Sequence, residues 1–235
     1  MSQSLAIPER FNGPLDSGNG GYCSGILASF VDGPAEISLR SPVPLDTPLD
    51  VATGEDGTVR LLDGETLVAE GRPTPPLALE APAQVTLDEA RAAMQRYRGL
   101  DTGPFCRCFV CGRAREDAFG VFAGRVEGRD LVASTWTPPA SAADGRGNVR
   151  PELIWAVLDC PTYFAAHLDD DLSLSFLVRL AARIDAPVVA DREHVVLAWP
   201  VESEGRKRRA GSAVLTADGQ TLAVADALLV EPRTP

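Results

Sequence analysis

The sequence predicts an α+β protein assembled from two diverged copies of one unit, each a buried helix followed by a run of antiparallel strands. Three observations carry that reading. Asp63-Gly64-Glu65-Thr66-Leu67-Val68-Ala69 recurs as Asp218-Gly219-Gln220-Thr221-Leu222-Ala223-Val224. Upstream of each occurrence lies a stretch almost without charge, Gly20–Val31 and Pro151–Leu168. Between these landmarks fall short β-rich runs of the length expected of strands.

In chain order, Gly20–Val31 (GGYCSGILASFV) has no charged residue. A helix apolar on all sides is a buried one. Strands are expected at Ala35–Val43, Leu49–Thr53, Thr58–Leu62 and Thr66–Glu70, the last two joined by the first Asp-Gly turn. A Pro-rich link, Gly71–Pro82, follows. Thr86–Gly99 then reads as a surface helix joining the halves. Thr86 and Glu89 form a capping box, arginines occupy its middle and end, and Gly99 stops it.

In the second half, Phe119–Val126 and Leu131–Thr137 read as a hairpin turned by Glu127-Gly128-Arg129-Asp130. The second buried helix carries only Glu152 near its start and Asp159 in its middle. Strands are expected at Leu172–Ile184, His194–Val201, Arg208–Ala217 and Thr221–Leu229. The division this implies is 1–82 for the first repeat, 83–104 for a linker helix and 105–235 for the second repeat.

Composition narrows the functional classes. The 235 residues are 45% hydrophobic and 23% charged, enough to bury a real core. A net charge of −11 argues against nucleic acid or an anionic membrane as partner, though not against a small anion held by local arginines. No window approaches 18 consecutive apolar residues, and the N-terminal residues lack a secretory pattern. Five cysteines, an odd number, read as free thiols in a reducing compartment, so a cytoplasmic location is expected.

A buried helix wrapped by an antiparallel sheet resembles the hotdog fold, and two fused copies a double hotdog: two antiparallel sheets, each wrapping a central helix. Many hotdog thioesterases open that helix with a His-Gly-Gly-like motif and place an acid further along it. Asn19-Gly20-Gly21-Tyr22 matches the Gly-Gly start with Asn in place of His, and the acid's position is Ala28. The second helix opens with Arg150-Pro151-Glu152, without the glycines, yet has Asp159 at the acid's position. Cys108–Gly112 (CFVCG) and Trp155–Pro161 (WAVLDCP) are similar to runs in bacterial thioesterase-like proteins. The resemblance is to the hotdog acyl-coenzyme A thioesterase superfamily.

Thioester hydrolysis needs an oxyanion donor and a carboxylate that attacks or activates water. A Gly-Gly helix start offers unpaired N–H groups, the positive dipole end and no Cβ in the way. The Gly21 and Ala28 levels lie about 10 Å apart along a helix, so one carbonyl cannot touch both. Two antiparallel helices can each contribute one part, the arrangement that the resemblance implies. Gly20 and Gly21 of the first repeat would then face Asp159 of the second in one composite site. The partner site, Pro151/Glu152 with Ala28, has neither part.

The resulting expectation is an acyl-thioester hydrolase acting on a small-molecule, acyl-coenzyme A-like substrate. Asn19, Tyr22, Trp155, Arg206 and Arg208 are the further candidates for substrate contact. Arg206-Lys207-Arg208-Arg209 could clamp phosphates or form a solvated hairpin tip. The alternative function is a hotdog protein that binds an acyl or other small ligand without catalysis. For Asp159 the alternative is a turn cap accepting the Thr162 N–H where the helix breaks before Pro161. No cofactor is expected. Cys106, Cys108 and Cys111 would need Cys160 or His167 to complete a zinc set, and a buried-thiol turn explains them equally; no metal is assigned. The free sheet edges of a fused pair would allow two chains to pair as a homodimer.

Overall fold

The computed structural model describes residues 3–99, 101–170 and 172–233. Its strands are β1 (Gln3–Leu5), β2 (Ala35–Leu39), β3 (Leu49–Thr53), β4 (Val59–Asp63), β5 (Thr66–Pro73), β6 (Gly124–Arg125), β7 (Val132–Trp136), β8 (Phe176–Ile184), β9 (His194–Glu204), β10 (Lys207–Leu215) and β11 (Thr221–Val230). The helices are α1 (Gly20–Ala28), α2 (Leu87–Met94) and α3 (Pro151–Ala166). Among the described residues no helix is long and apolar enough to cross a membrane.

The two sheets expected from the sequence are one. All eleven strands join in the order β1-β3-β4-β5-β2-β8-β11-β10-β9-β7-β6. The joint is antiparallel pairing of β2 with β8, through Glu36–Ala181, Ile37–Leu180 and Ser38–Arg179. Each half would otherwise end in an unpaired strand at this point, and joining satisfies both edges. Ile37 and Leu180 are fully buried there, and Glu36 pairs with Arg72 on β5 at 2.5 Å and Arg179 on β8 at 3.5 Å.

Both central helices lie on one face of this sheet and pack on each other within a single core. Their contact is close because α1 presents glycines to it. A methyl placed on Gly21 would stand 2.5 Å from the Trp155 carbonyl oxygen and 2.8 Å from Ala156 Cα, and one on Gly25 2.6 Å from Glu152 Cα. Gly21 and Glu152 are each the second residue of their helix, and Gly25 and Ala156 each the sixth. The contact therefore repeats itself when the helices exchange roles, as expected of duplicated units.

The other face of the second half is covered by α2 and the Pro-rich link. Ala90 and Ala93 of α2 pack with Val195, Leu197 and Trp199 of β9, joined by Leu77 and Leu79 from the link. Val196 and Ala198 face the opposite side, toward the central helices. This explains why His194–Trp199 is buried without interruption, as expected of a strand covered on both faces. In the first half β3 alternates buried and exposed residues, so its outer face meets solvent.

Two elements depart furthest from expectation, while β2 ends at Leu39 rather than Val43 and β8 begins at Phe176 rather than Leu172. The surface helix keeps its capping box but ends at Met94 rather than Gly99. Tyr97 leaves the helix to pack between Phe122 and Phe164, and its hydroxyl donates to the Cys111 carbonyl at 2.7 Å. The hairpin before α3 has only a two-residue first strand, because Phe119 and Val121 bond instead to the carbonyls of Phe109 and Val110. As for α3, it runs through Pro161 to Ala166, close to the expected Pro151–Leu168, so the break assumed by the turn-cap alternative is absent. Proline supplies no N–H to the preceding turn. The carbonyls beside it are served by hydroxyls: Thr162 Oγ1 donates to Asp159 O and Ser212 Oγ to Leu158 O, both at 2.6 Å.

Candidate active site

Asn19 caps α1, its Oδ1 accepting the Tyr22 N–H at 2.8 Å. That leaves the Gly20 and Gly21 N–H groups, which have no partner within the helix. The Gly21 N–H donates to Asp159 Oδ2 at 2.8 Å, across from α1 to α3. Among the described residues nothing accepts from the Gly20 N–H. Gly20 is only partly buried; the Cβ it lacks would sit 3.3 Å from Asp159 Oδ2, between Leu39 and Leu177. The first helix thus delivers one engaged and one open donor to the carboxylate of the second.

Asp159 is 8% exposed, and no Arg, Lys or His among the described residues pairs with it. Burial raises its carboxyl to about 7, against the opposing pull of the Gly21 N–H, with the nearby Cys108 adding to the rise. The cap alternative is not what the carboxylate does: Thr162 bonds to the Asp159 backbone carbonyl, while the side chain reaches α1.

The other sequence candidates divide into buried and peripheral groups. Tyr22 stacks on Phe11 at 4.1 Å and is 6% exposed. Trp155 is 5% exposed and lies against Gly25. Both are parts of the core beside the site. Arg206 and Arg208 flank the turn between β9 and β10, where Gly205 takes φ 55°. The chain itself engages them: Arg206 Nη1 donates to the Glu231 carbonyl, and Arg208 pairs with Asp170 at 3.3 Å and Glu231 at 3.0 Å.

Two groups emerge that the sequence did not resolve. Cys108, Cys111 and Cys160 bring their sulfurs within 4.8 Å of one another, whereas Cys106 stays outside. His167 is held between Asp170 (Nδ1, 3.0 Å) and Ser175 (Nε2, 3.0 Å). This has the connectivity of a nucleophile, base and orienting acid, but Ser175 is 2% exposed and closed to a substrate. The chain His167–Asp170–Ser175 pins the loop after α3. The Cys108–Cys111 spacing pointed toward the first group, with Cys160 among its possible partners, whereas spacing carries no signal for the second, which depends on where α3 ends.

No family model and no curated protein matches the sequence. Solved structures do. One from Novosphingobium aromaticivorans DSM 12444, assigned as a thioesterase, matches at TM-score 0.65 and 11% identity, covering 99% of this chain and 96% of that one. The tesB protein of Mycobacterium avium subs paratuberculosis matches at 0.61 and 11%, covering 99% and 93%. A conserved protein of unknown function with a hot dog fold from Alicyclobacillus acidocaldarius matches at 0.61 and 11%, covering 100% and 94%. At such identities the likeness is one of fold: along its whole length the chain has a hotdog fold.

Proposed function

We propose that the chain hydrolyses acyl thioesters of the acyl-coenzyme A type, at a single site composed by both halves. One observation carries this: the Gly21 N–H to Asp159 Oδ2 bond of 2.8 Å, with the Gly20 N–H open beside it. The substrate carbonyl approaches between Leu39 and Leu177, and its oxygen takes the Gly20 N–H at the positive end of α1. Asp159, steadied by Gly21, takes a proton from a water that adds to the carbonyl carbon, or attacks that carbon itself to give, once the C–S bond breaks, an acyl–Asp159 anhydride that a water then hydrolyses. Collapse of the tetrahedral adduct breaks the C–S bond, the thiol leaves with a proton, and the acid is released. Whole-chain likeness to a structure assigned as a thioesterase supports the reaction class.

The competing reading is an acyl-ligand protein without catalysis, favoured by the burial of Asp159 and the prior engagement of the Gly21 N–H. Fold alone does not separate them. A panel of acyl-coenzyme A esters of graded chain length, followed by thiol release, does so when paired with calorimetric binding of a non-hydrolysable thioether analogue. Turnover of at least one ester supports hydrolysis. Tight analogue binding without turnover of any ester would establish the binding protein instead.

A further inference from the structure

Outside the carboxylate site the structure gathers three thiols from two distant stretches of chain. Cys108 and Cys111 come from the turn before β6, and Cys160 from the middle of α3. Cys108 and Cys111 are buried, while Cys160 is partly so. Cys108 Sγ and Cys160 Sγ stand 3.6 Å apart. A tetrahedral zinc with Zn–S bonds of about 2.3 Å spaces its sulfurs about 3.8 Å apart. A disulfide needs about 2.05 Å and only two of the three sulfurs.

A hydrogen-bond donor faces two of the three sulfurs. Asn19 Nδ2 points at both Cys160 Sγ (3.6 Å) and Cys108 Sγ (3.8 Å), and the Tyr22 N–H on Oδ1 fixes that orientation of the amide. The turn closes tightly at Gly112, whose N–H donates to the Cys108 carbonyl at 2.8 Å. A side chain there would meet Cys108 N at 2.5 Å and Cys106 O at 2.6 Å. A Cys-x-x-Cys turn with a donor trained on its first sulfur is a ligand geometry held in advance.

We propose that Cys108, Cys111 and Cys160 bind one thiophilic divalent cation of the zinc class, with a water or small exogenous ligand completing the tetrahedron. Asn19 acts on this site as a positioning residue, donating to two of the sulfurs. The ion staples the Cys108–Gly112 turn to α3, beside the N-cap of α1. It therefore ties the stretch before β6 to the two helices that meet at Asp159. This assignment is independent of thioester hydrolysis and stands or falls by metal binding alone.

The test is X-ray absorption at the zinc edge on the full chain, reduced, stripped with chelator and reloaded with zinc alone. One zinc per chain with three sulfurs at about 2.3 Å and one lighter atom is expected. This measurement needs no variant, so a variant that fails to fold cannot obscure it. Cobalt substitution extends it. The charge-transfer absorption of a tetrahedral cobalt thiolate should be lost in Cys108→Ser, Cys111→Ser and Cys160→Ser and retained in Cys106→Ser and Cys23→Ser. Less than one zinc per folded chain, an oxygen or nitrogen shell, or equal loss in Cys106→Ser would overturn the proposal.

Discussion

At Asp159 two demands pull in opposite directions. Burial among apolar residues disfavours the charge, while the N-terminus of the opposite helix supplies a donor that favours it. The balance leaves a carboxyl near neutrality, where a group can both take and return a proton. The adjacent glycines separate by what surrounds them. Gly21 faces backbone and Cβ atoms of α3, whereas Gly20 faces the ends of two leucine side chains and the carboxylate. Gly21→Ala should therefore lower stability by about 1–3 kcal/mol in urea unfolding, because two helices must separate. Gly20→Ala should unfold within about 0.5–1 kcal/mol of the parent, yet lose turnover as the new methyl closes the open donor. Full activity in Gly20→Ala would remove that N–H from the mechanism.

The elements show why part of this was legible in the sequence and part was not. Uncharged helices announce themselves through composition and alternating strands through periodicity, so α1, α3, β3 and the capping box of α2 lie close to where pattern places them. Pro161 was a misleading signal. Local propensity reads it as a stop, but hydroxyls serve the carbonyls around it, Ser212 from β10 and Thr162 from within α3. Tyr97 and Phe119 are the same lesson in reverse: each leaves its expected element for a partner far along the chain. Ser212→Ala tests the repair of α3 directly. Removing the only hydroxyl that reaches Leu158 O, among the described residues, should cost about 1–3 kcal/mol in thermal or urea unfolding. A change below about 0.5 kcal/mol, the size of an ordinary surface substitution, would mean that Pro161 needs no such compensation.

At the scale of the molecule, the sequence pointed to two units and the structure fuses them twice: once through the β2–β8 ladder and once through the α1–α3 contact. The three-pair ladder is a slender joint, whereas the shared helical core is extensive. Unfolding should accordingly be a single cooperative transition, with calorimetric and van't Hoff enthalpies in agreement; two resolved transitions would mean that the halves are autonomous. The two ends of the helix contact are not alike. The second and ninth positions of the two helices carry Gly21 and Asp159 at one end of the contact, but Glu152 and Ala28 at the other. The most direct measurement is steady-state hydrolysis of the best acyl-coenzyme A ester by Asp159→Asn and Glu152→Gln side by side, both shown to be folded. One composite site predicts a loss of about 10²–10⁴-fold in Asp159→Asn and near-parental rates in Glu152→Gln; full activity in Asp159→Asn, or an equal loss in both, would contradict it.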